Sequence, residues 1–302
     1  MQTHCSITIF GEVLFDCFPD ATEVLGGAPF NVAWHLRGFG LAPRLVSRVG
    51  RDGRGERIRS AMGRWGLDVS ALQSDPSHPT GQVSVTLVGG EPRYEIVSGS
   101  AYDFIDPPEP CAVSAMGLLY HGTLALRHPA SAAALTSLKS RHQGPIVLDV
   151  NLRRPWWSIE TVLPLVEDAH HVKLNAAELA LLTADAPPDE DDGVALAASM
   201  HRFAESHRLE TLVVTRGALG ALLWRGGEVV SVAPAAAGPV VDTVGAGDGF
   251  AAVLLLGLSQ GWPWAESLAR AGDFAAGLVS RRGATIDDPS VYAQFLTSWG
   301  VG

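Results

Sequence analysis

The stretch DTVGAGDGF, from Asp242 to Phe250, runs directly into the apolar segment FAAVLLLGL that ends at Leu258. Glycines crowd what reads as a helix start. Without a Cβ at Gly245 and Gly247, backbone N–H groups there can close around an anion, and the helix dipole adds partial positive charge. Asp248 falls in that first turn. It suits a helix start electrostatically, as a cap does, and it would also lie beside a bound phosphoryl group, placed to take a proton from an attacking hydroxyl.

Working outward, strands and helices alternate. Ser6 to Gly11 reads as a strand, Arg44 to Gly50 as another, with helices over about Asn31 to Phe39 and Gly55 to Trp65. Val32, Leu36 and Phe39 share one face of the first helix. Further strands fall near GLLYHG, PIVLDVN, HHVKLN, ETLVVT, GALLW and EVVSVA. The spacing predicts helices over Pro129 to Ser140, Ser158 to Asp168, Gly193 to His207, about Ala246 to Ser259, Pro263 to Arg281 and Pro289 to Trp299. This is the rhythm of an α/β fold built on a mostly parallel sheet. Between Thr80 and Ala101 the rhythm breaks: QVSVTLV and RYEIV alternate polar and apolar residues around GGEP, a hairpin with one wet face that belongs outside the main core. It is a candidate lid, and its apolar face offers a contact for a homodimer. The segment Asp185 to Gly193, DAPPDEDDG, reads as an exposed loop.

Composition excludes several classes. A 47% hydrophobic chain with 33 glycines and 19 prolines spread along 302 residues is globular. A formal charge of -10 and no Lys/Arg tract argue against a nucleic-acid partner. The longest apolar run, Phe250 to Leu258, is far below the ~20 residues that span a bilayer. The N-terminus lacks a basic region and a cleavage site, so the expected location is the cytoplasm. Cys5, Cys17 and Cys111 show no CxxC spacing, and the 10 histidines supply no HExxH pair. His35 and His121 read as satisfied interior residues. Neither GxxxxGKS/T nor a GxGxxG after the first strand is present, so phosphate must be held by other loops.

Five elements in order carry a resemblance. GGAPFNVAWHLRGFG (Gly26 to Gly40), DVNLR (Asp149 to Arg153), KLNAAEL (Lys173 to Leu179), VTRGALG (Val214 to Gly220) and DTVGAGDGF resemble the signatures of the ribokinase-like, or PfkB, carbohydrate kinases. The resemblance runs from about Gly11 to Gly283. It implies a three-layer α/β/α core over residues 1–302, forming one domain with a small β lid drawn from about 12–25 and 80–104. It also implies ATP with Mg²⁺ and a small sugar as partners. Asp248 would be the general base, with Gly245, Ala246 and Gly247 as the anion hole. Asn175 and Glu178 would organise magnesium, chiefly through water, and the nucleotide phosphates; the same spacing is that of a helix capping box. Thr215, Gly217 and Gly220 would shape the nucleotide site, or simply a strand followed by a turn. Asp16, Gly26, Gly27 and Asn31 would meet the sugar, with Arg153 reaching the phosphate or the sugar from a strand end. Asp242 and Thr243 match the place where related kinases bind a monovalent cation, K⁺, through backbone oxygens.

GEVLFD and DVNLR look closest to the fructokinase and 2-keto-3-deoxygluconate kinase branches, with nucleoside kinases and a non-catalytic sugar-binding relative as alternatives. One departure leaves the sugar open: where many fructokinases carry Arg or Asn ahead of a SAD-like element, this chain reads YEIVSGSAYDFI (Tyr94 to Ile105). Tyr94, Tyr102 and Asp103 would line a sugar pocket or serve the hinge and core. Trp156 and Trp157 would stack on a ligand or bury apolar area.

Overall fold

In the computed structural model, residues 6–88, 91–109, 113–183, 193–233 and 238–301 are described. The chain order is β1 (Ile7–Phe10), β2 (Leu14–Cys17), β3 (Glu23–Gly26), α1 (Ala28–Gly38), β4 (Arg44–Gly50), α2 (Gly53–Trp65), β5 (Leu72–Asp75), β6 (Gly81–Val88) and β7 (Glu91–Ile96). There follow β8 (Leu118–His121), α3 (Pro129–Lys139), β9 (Ile146–Asp149), α4 (Ile159–Glu167), β10 (His171–Asn175), α5 (Ala176–Thr183) and α6 (Gly193–Ser206). The chain closes with β11 (Thr211–Thr215), β12 (Ala221–Arg225), β13 (Glu228–Val232), α7 (Ala246–Gln260), α8 (Trp264–Val279) and α9 (Pro289–Ser298).

Nine of these strands form one sheet in the order β13-β12-β11-β10-β9-β8-β1-β4-β5. It is parallel from β5 to β11; β12 runs against them and pairs antiparallel with both β11 and β13. Successive strand residues point to opposite faces, and here each face meets helices. Ile9, Leu45, Leu118, Tyr120, Val147, Val213 and Leu223 join one core with α1, α2, α7, α8 and α9. Their neighbours Phe10, Val46, Leu119, Leu148, Leu212, Val214 and Leu222 join a second core with α3, α4, α5 and α6. Two cores separated by one sheet make the expected three-layer α/β/α arrangement.

Helix α7 explains its own sequence. Every residue from Gly249 to Gly257 is buried, so FAAVLLLGL has no polar face to show. Burying each of its leucines contributes about 2 kcal/mol. Its start demands glycine: Gly245 has φ +79°, and a Cβ there would lie 2.5 Å from the Ala284 Cα.

A separate four-stranded sheet, β3-β2-β6-β7, is built from the β2–β3 hairpin and the β6–β7 hairpin, joined by the parallel pair β2 and β6. The alternation in QVSVTLV has its cause here: Val83 and Val85 are buried while Gln82 and Ser84 are less so. The turn residues 89–90 lie outside the described residues, as do Asp185 to Asp192 of the expected loop, Cys5 and Cys111. Cys17 carries a free thiol.

Two helix starts fall two or three residues before the expected ones, and the large sheet holds a strand, β5, that was not expected. Helix α1 begins at Ala28, because Pro29 is tolerated in a first turn that needs no N–H. Helix α2 begins at Gly53, where the Asp52 carboxylate accepts from the Gly55 N–H. Strand β5, LQSD, shows neither alternation nor an apolar run, and it gains its structure from parallel pairing with β4. His35 is wholly buried with both ring nitrogens engaged, by the Tyr292 hydroxyl and the Ala284 carbonyl. His121 is also buried, with Nδ1 facing the Gly122 carbonyl. No helix among the described residues is long and apolar enough to cross a membrane.

Candidate active site

Several chain segments end at one cavity of about 980 Å³ between the two sheets. Strands β1, β9, β10 and β11 deliver residues at or just beyond their carboxyl ends, where open α/β sheets hold ligands. The small sheet supplies Leu14, Asp16, Val24, Val83 and Ile96, and α7 supplies its first turn.

Asp248 lies at the centre. The Asn31 side-chain amide donates to Asp248 Oδ2 at 2.7 Å, tying α1 to α7. Burial pushes the Asp248 carboxyl up to about 6, against the lowering effect of that hydrogen bond. Around it, Gly245 and Gly247 line the cavity, and of the first-turn N–H groups of α7, which a helix leaves without internal acceptors, that of Ala246 donates to the Thr243 carbonyl at 3.4 Å.

Beside α7 stands a buried ion pair. Lys173 Nζ meets Asp149 Oδ1 at 3.0 Å and Oδ2 at 2.8 Å, while the Tyr120 hydroxyl donates to Asp149 Oδ2 at 3.2 Å. Strand register causes this, since β10 and β9 place Lys173 directly opposite Asp149. A Cβ on Gly247 would sit 3.8 Å from Lys173 Nζ, so the ammonium flanks the glycine turn. Burial works against the charge of Lys173, but Asp149 outweighs it and holds the ammonium above its ordinary range.

On the same strand as Lys173, Asn175 forms with Glu178 the reciprocal capping box of α5. Glu178 Oε2 accepts from the Asn175 N–H at 2.8 Å, and Asn175 Oδ1 accepts from the Glu178 N–H at 2.9 Å. Glu178 Oε1 also accepts from the Leu152 N–H at 2.8 Å, fixing the loop that carries Arg153. Capping does not remove these residues from the cavity, which both line. Burial raises the Glu178 carboxyl, partly offset by the backbone N–H groups. No cluster of three or more His, Cys, Asp or Glu side chains suited to a metal occurs among the described residues. An ion kept in its water shell needs fewer protein ligands than that, and a buried carboxylate beside an amide suits it.

Of the other expected residues, Asp16, Gly26, Gly27, Asn31, Arg153, Thr215, Asp242 and Thr243 line the cavity. Asp16 is a β2 residue, and burial raises its carboxyl. Gly27 has φ +106°, and a Cβ there would lie 2.8 Å from the Glu12 carbonyl oxygen, so the glycine lets the start of α1 pack on the segment between β1 and β2. The Asp242 carboxylate accepts from the Val244 and Gly283 N–H groups. Ala246, Gly217 and Gly220 lie outside the lining; the last two form the turn between β11 and β12, both with positive φ.

Tyr94 lines the cavity, whereas Tyr102 is wholly buried in the second core. Asp103 pairs with Arg127 Nε at 2.7 Å, and the Arg127 guanidinium lies 4.4 Å over the Trp156 ring. Trp157 packs against the second core. Among the cavity residues not anticipated as site residues are Glu12, Asp149 and Lys173. Their signal is a charge inside or just after an apolar strand, since buried charges come paired or serve a ligand.

The pfkB family carbohydrate kinase model matches residues 14–291. The fructokinase of Escherichia coli is 30% identical over 268 residues, 84% of either chain. That of Klebsiella pneumoniae is 31% identical over 271 residues, again 84% of either chain. Among solved structures, fructokinase from Vibrio cholerae O395 with fructose, ADP and potassium bound superposes with a TM-score of 0.79 at 24% identity, covering 98% of this chain and 100% of that one. Aminoimidazole riboside kinase from Salmonella enterica superposes with a TM-score of 0.81 at 23% identity, over 96% and 99%. The fold and the cavity thus define a ribokinase-like phosphotransferase. The chain belongs to the pfkB family of carbohydrate kinases and is a sugar kinase.

Proposed function

We propose that the protein transfers the γ-phosphoryl group of ATP to a primary hydroxyl of a monosaccharide, fructose-like or a keto-deoxy sugar acid, with Asp248 as general base. The supporting observation is the position of Asp248, held by Asn31 within a cavity whose wall is the glycine-rich start of α7. A sugar hydroxyl does not ionise at neutral pH, so Asp248 takes its proton while the oxygen bonds to the γ-phosphorus. The bond from that phosphorus to the bridging oxygen breaks, and ADP leaves. The N–H groups at Gly245, Ala246 and Gly247, with Lys173 alongside, face the charge on the transferring group. Asn175 and Glu178 would hold a magnesium ion through water, and that ion would neutralise phosphate charge. Thr215, Gly217 and Gly220 border the nucleotide. Asp16, Gly26, Gly27, Asn31 and Arg153 border the sugar, and Asp242 and Thr243 a potassium ion. The four-stranded sheet, within about 12–25 and 80–104, acts as the lid of a single kinase domain.

The experiment is a panel of sugars, sugar acids and nucleosides with magnesium-ATP, read by ADP release in the wild type and D248N. A nucleoside acceptor is the second reading, because aminoimidazole riboside kinase shares the fold. Turnover confined to nucleosides would establish that reading in place of the first.

A further inference from the structure

Glu12 lies two residues beyond the end of β1 and is only 4% exposed, yet it lines the cavity with Asp16, Asn31, Arg153 and Asp248. Its Oε2 atom has no hydrogen-bond partner among the described residues. In the same corner, Asn31 is 4% exposed; its amide nitrogen serves Asp248, and its Oδ1 is likewise without a partner. Leaving a buried acceptor unmatched costs roughly 1–3 kcal/mol. Two such oxygens at one end of one cavity are matched when a ligand brings donors to them.

The chemistry of that ligand follows from the charges. Glu12, Asp16 and Asp248 put three carboxyl groups around this end, so a substrate carboxylate would add a further negative group to them. The cations lining the cavity are Lys173, Arg153 and Arg282, with Lys173 already bonded to both oxygens of Asp149, and the nucleotide phosphates draw on the same few positive charges. Hydroxyl groups meet no such penalty. Burial pushes the Glu12 carboxyl up to about 7, so near neutrality it both donates and accepts, as a hydroxyl does.

We infer that Glu12 is a specificity-determining residue that binds one hydroxyl of the sugar, with Asn31 Oδ1 beside it, and that the substrate is a neutral polyhydroxy sugar rather than a sugar acid. This rests on the carbohydrate-kinase reading of the same cavity. It narrows that reading to one substrate class and one contact.

The test combines substrate and side-chain deletion. Wild type, E12Q and E12A are assayed by ADP release with a neutral ketohexose, with its singly deoxygenated analogues, and with a keto-deoxy sugar acid. E12A should raise KM for the ketohexose about tenfold or more with little change in kcat, and E12Q should recover most of that loss. For one deoxy analogue, the one lacking the bound hydroxyl, wild type and E12A should have nearly equal KM. An equal wild-type to E12A ratio for every analogue would overturn the contact and make Glu12 a purely structural residue. Faster wild-type turnover of the sugar acid than of the ketohexose would overturn the substrate class. Failure of the parent reading is a separate result: the wild type would then release no ADP with any carbohydrate. Thermal melts of E12A and E12Q identify a variant that is merely unfolded, in which case E12Q carries the comparison.

Discussion

Asn31 Nδ2 donates to Asp248 Oδ2 at 2.7 Å across 217 residues of sequence, so the helix behind the N-terminal glycine pair orients the carboxylate at the start of α7. The bond favours the charged carboxylate and lowers its pKa, while burial raises it to about 6. The base must be ionised to act. The kcat/KM of the wild type should therefore rise with pH through about 6 and level above it. In N31A the lowering contact is gone, and the acid limb should move to higher pH. A limb that stays in place in N31A would show that Asn31 does not tune the base.

D248N should lower kcat by about a thousandfold, within the usual range for loss of a general base, and leave ATP binding nearly unchanged. Stability should move the other way. The folded pKa of Asp248 lies above the unfolded value of ~3.9, so burying its charge destabilises the fold fully above about pH 6. That cost declines as pH falls from 6 toward 4 and is absent below. D248N should accordingly melt a few degrees higher than wild type at pH 8 and level with it at pH 3.5, as read by scanning calorimetry.

The Lys173–Asp149 pair is buried on both sides, with 8% and 3% of the side chains exposed. K173M leaves the carboxylate uncompensated and should cost about 3–5 kcal/mol in urea unfolding. The double variant K173M/D149N should regain most of it, because Tyr120 can still bond the amide. Additive losses in the double variant would contradict the coupling.

Gly245 and Gly247 separate fold from function within one motif. G245A forces a side chain to φ +79° and against the backbone of Ala284, so Tm and turnover should both fall. G247A meets nothing closer than Lys173 Nζ at 3.8 Å and adopts ordinary backbone angles. It should keep its Tm within about 2 °C while losing turnover at the anion hole. Equal losses of Tm in both would contradict this.

Much of this was legible in the sequence because local chemistry left a mark. DTVGAGDGF and GGAPFN announce helix starts by glycine and proline, and QVSVTLV announces a half-buried hairpin by its alternation. The capping of α5 by Asn175 and Glu178 follows from their spacing. What escaped reading depends on partners far apart in the chain. Lys173 faces Asp149 only because β9 and β10 pair in one register, and β5 becomes a strand only beside β4. Tyr102 and Asp103 were open candidates until Arg127, 24 residues beyond Asp103, drew the aspartate into the interior. Glu12 carries no motif of its own; its importance lies in an oxygen without a partner.

The most direct measurement is ADP release from magnesium-ATP by wild type and D248N with a neutral ketohexose. The account predicts saturable, sugar-dependent turnover in the wild type and a loss of about a thousandfold in D248N, with both proteins folded. Equal ADP release by the two proteins would contradict it.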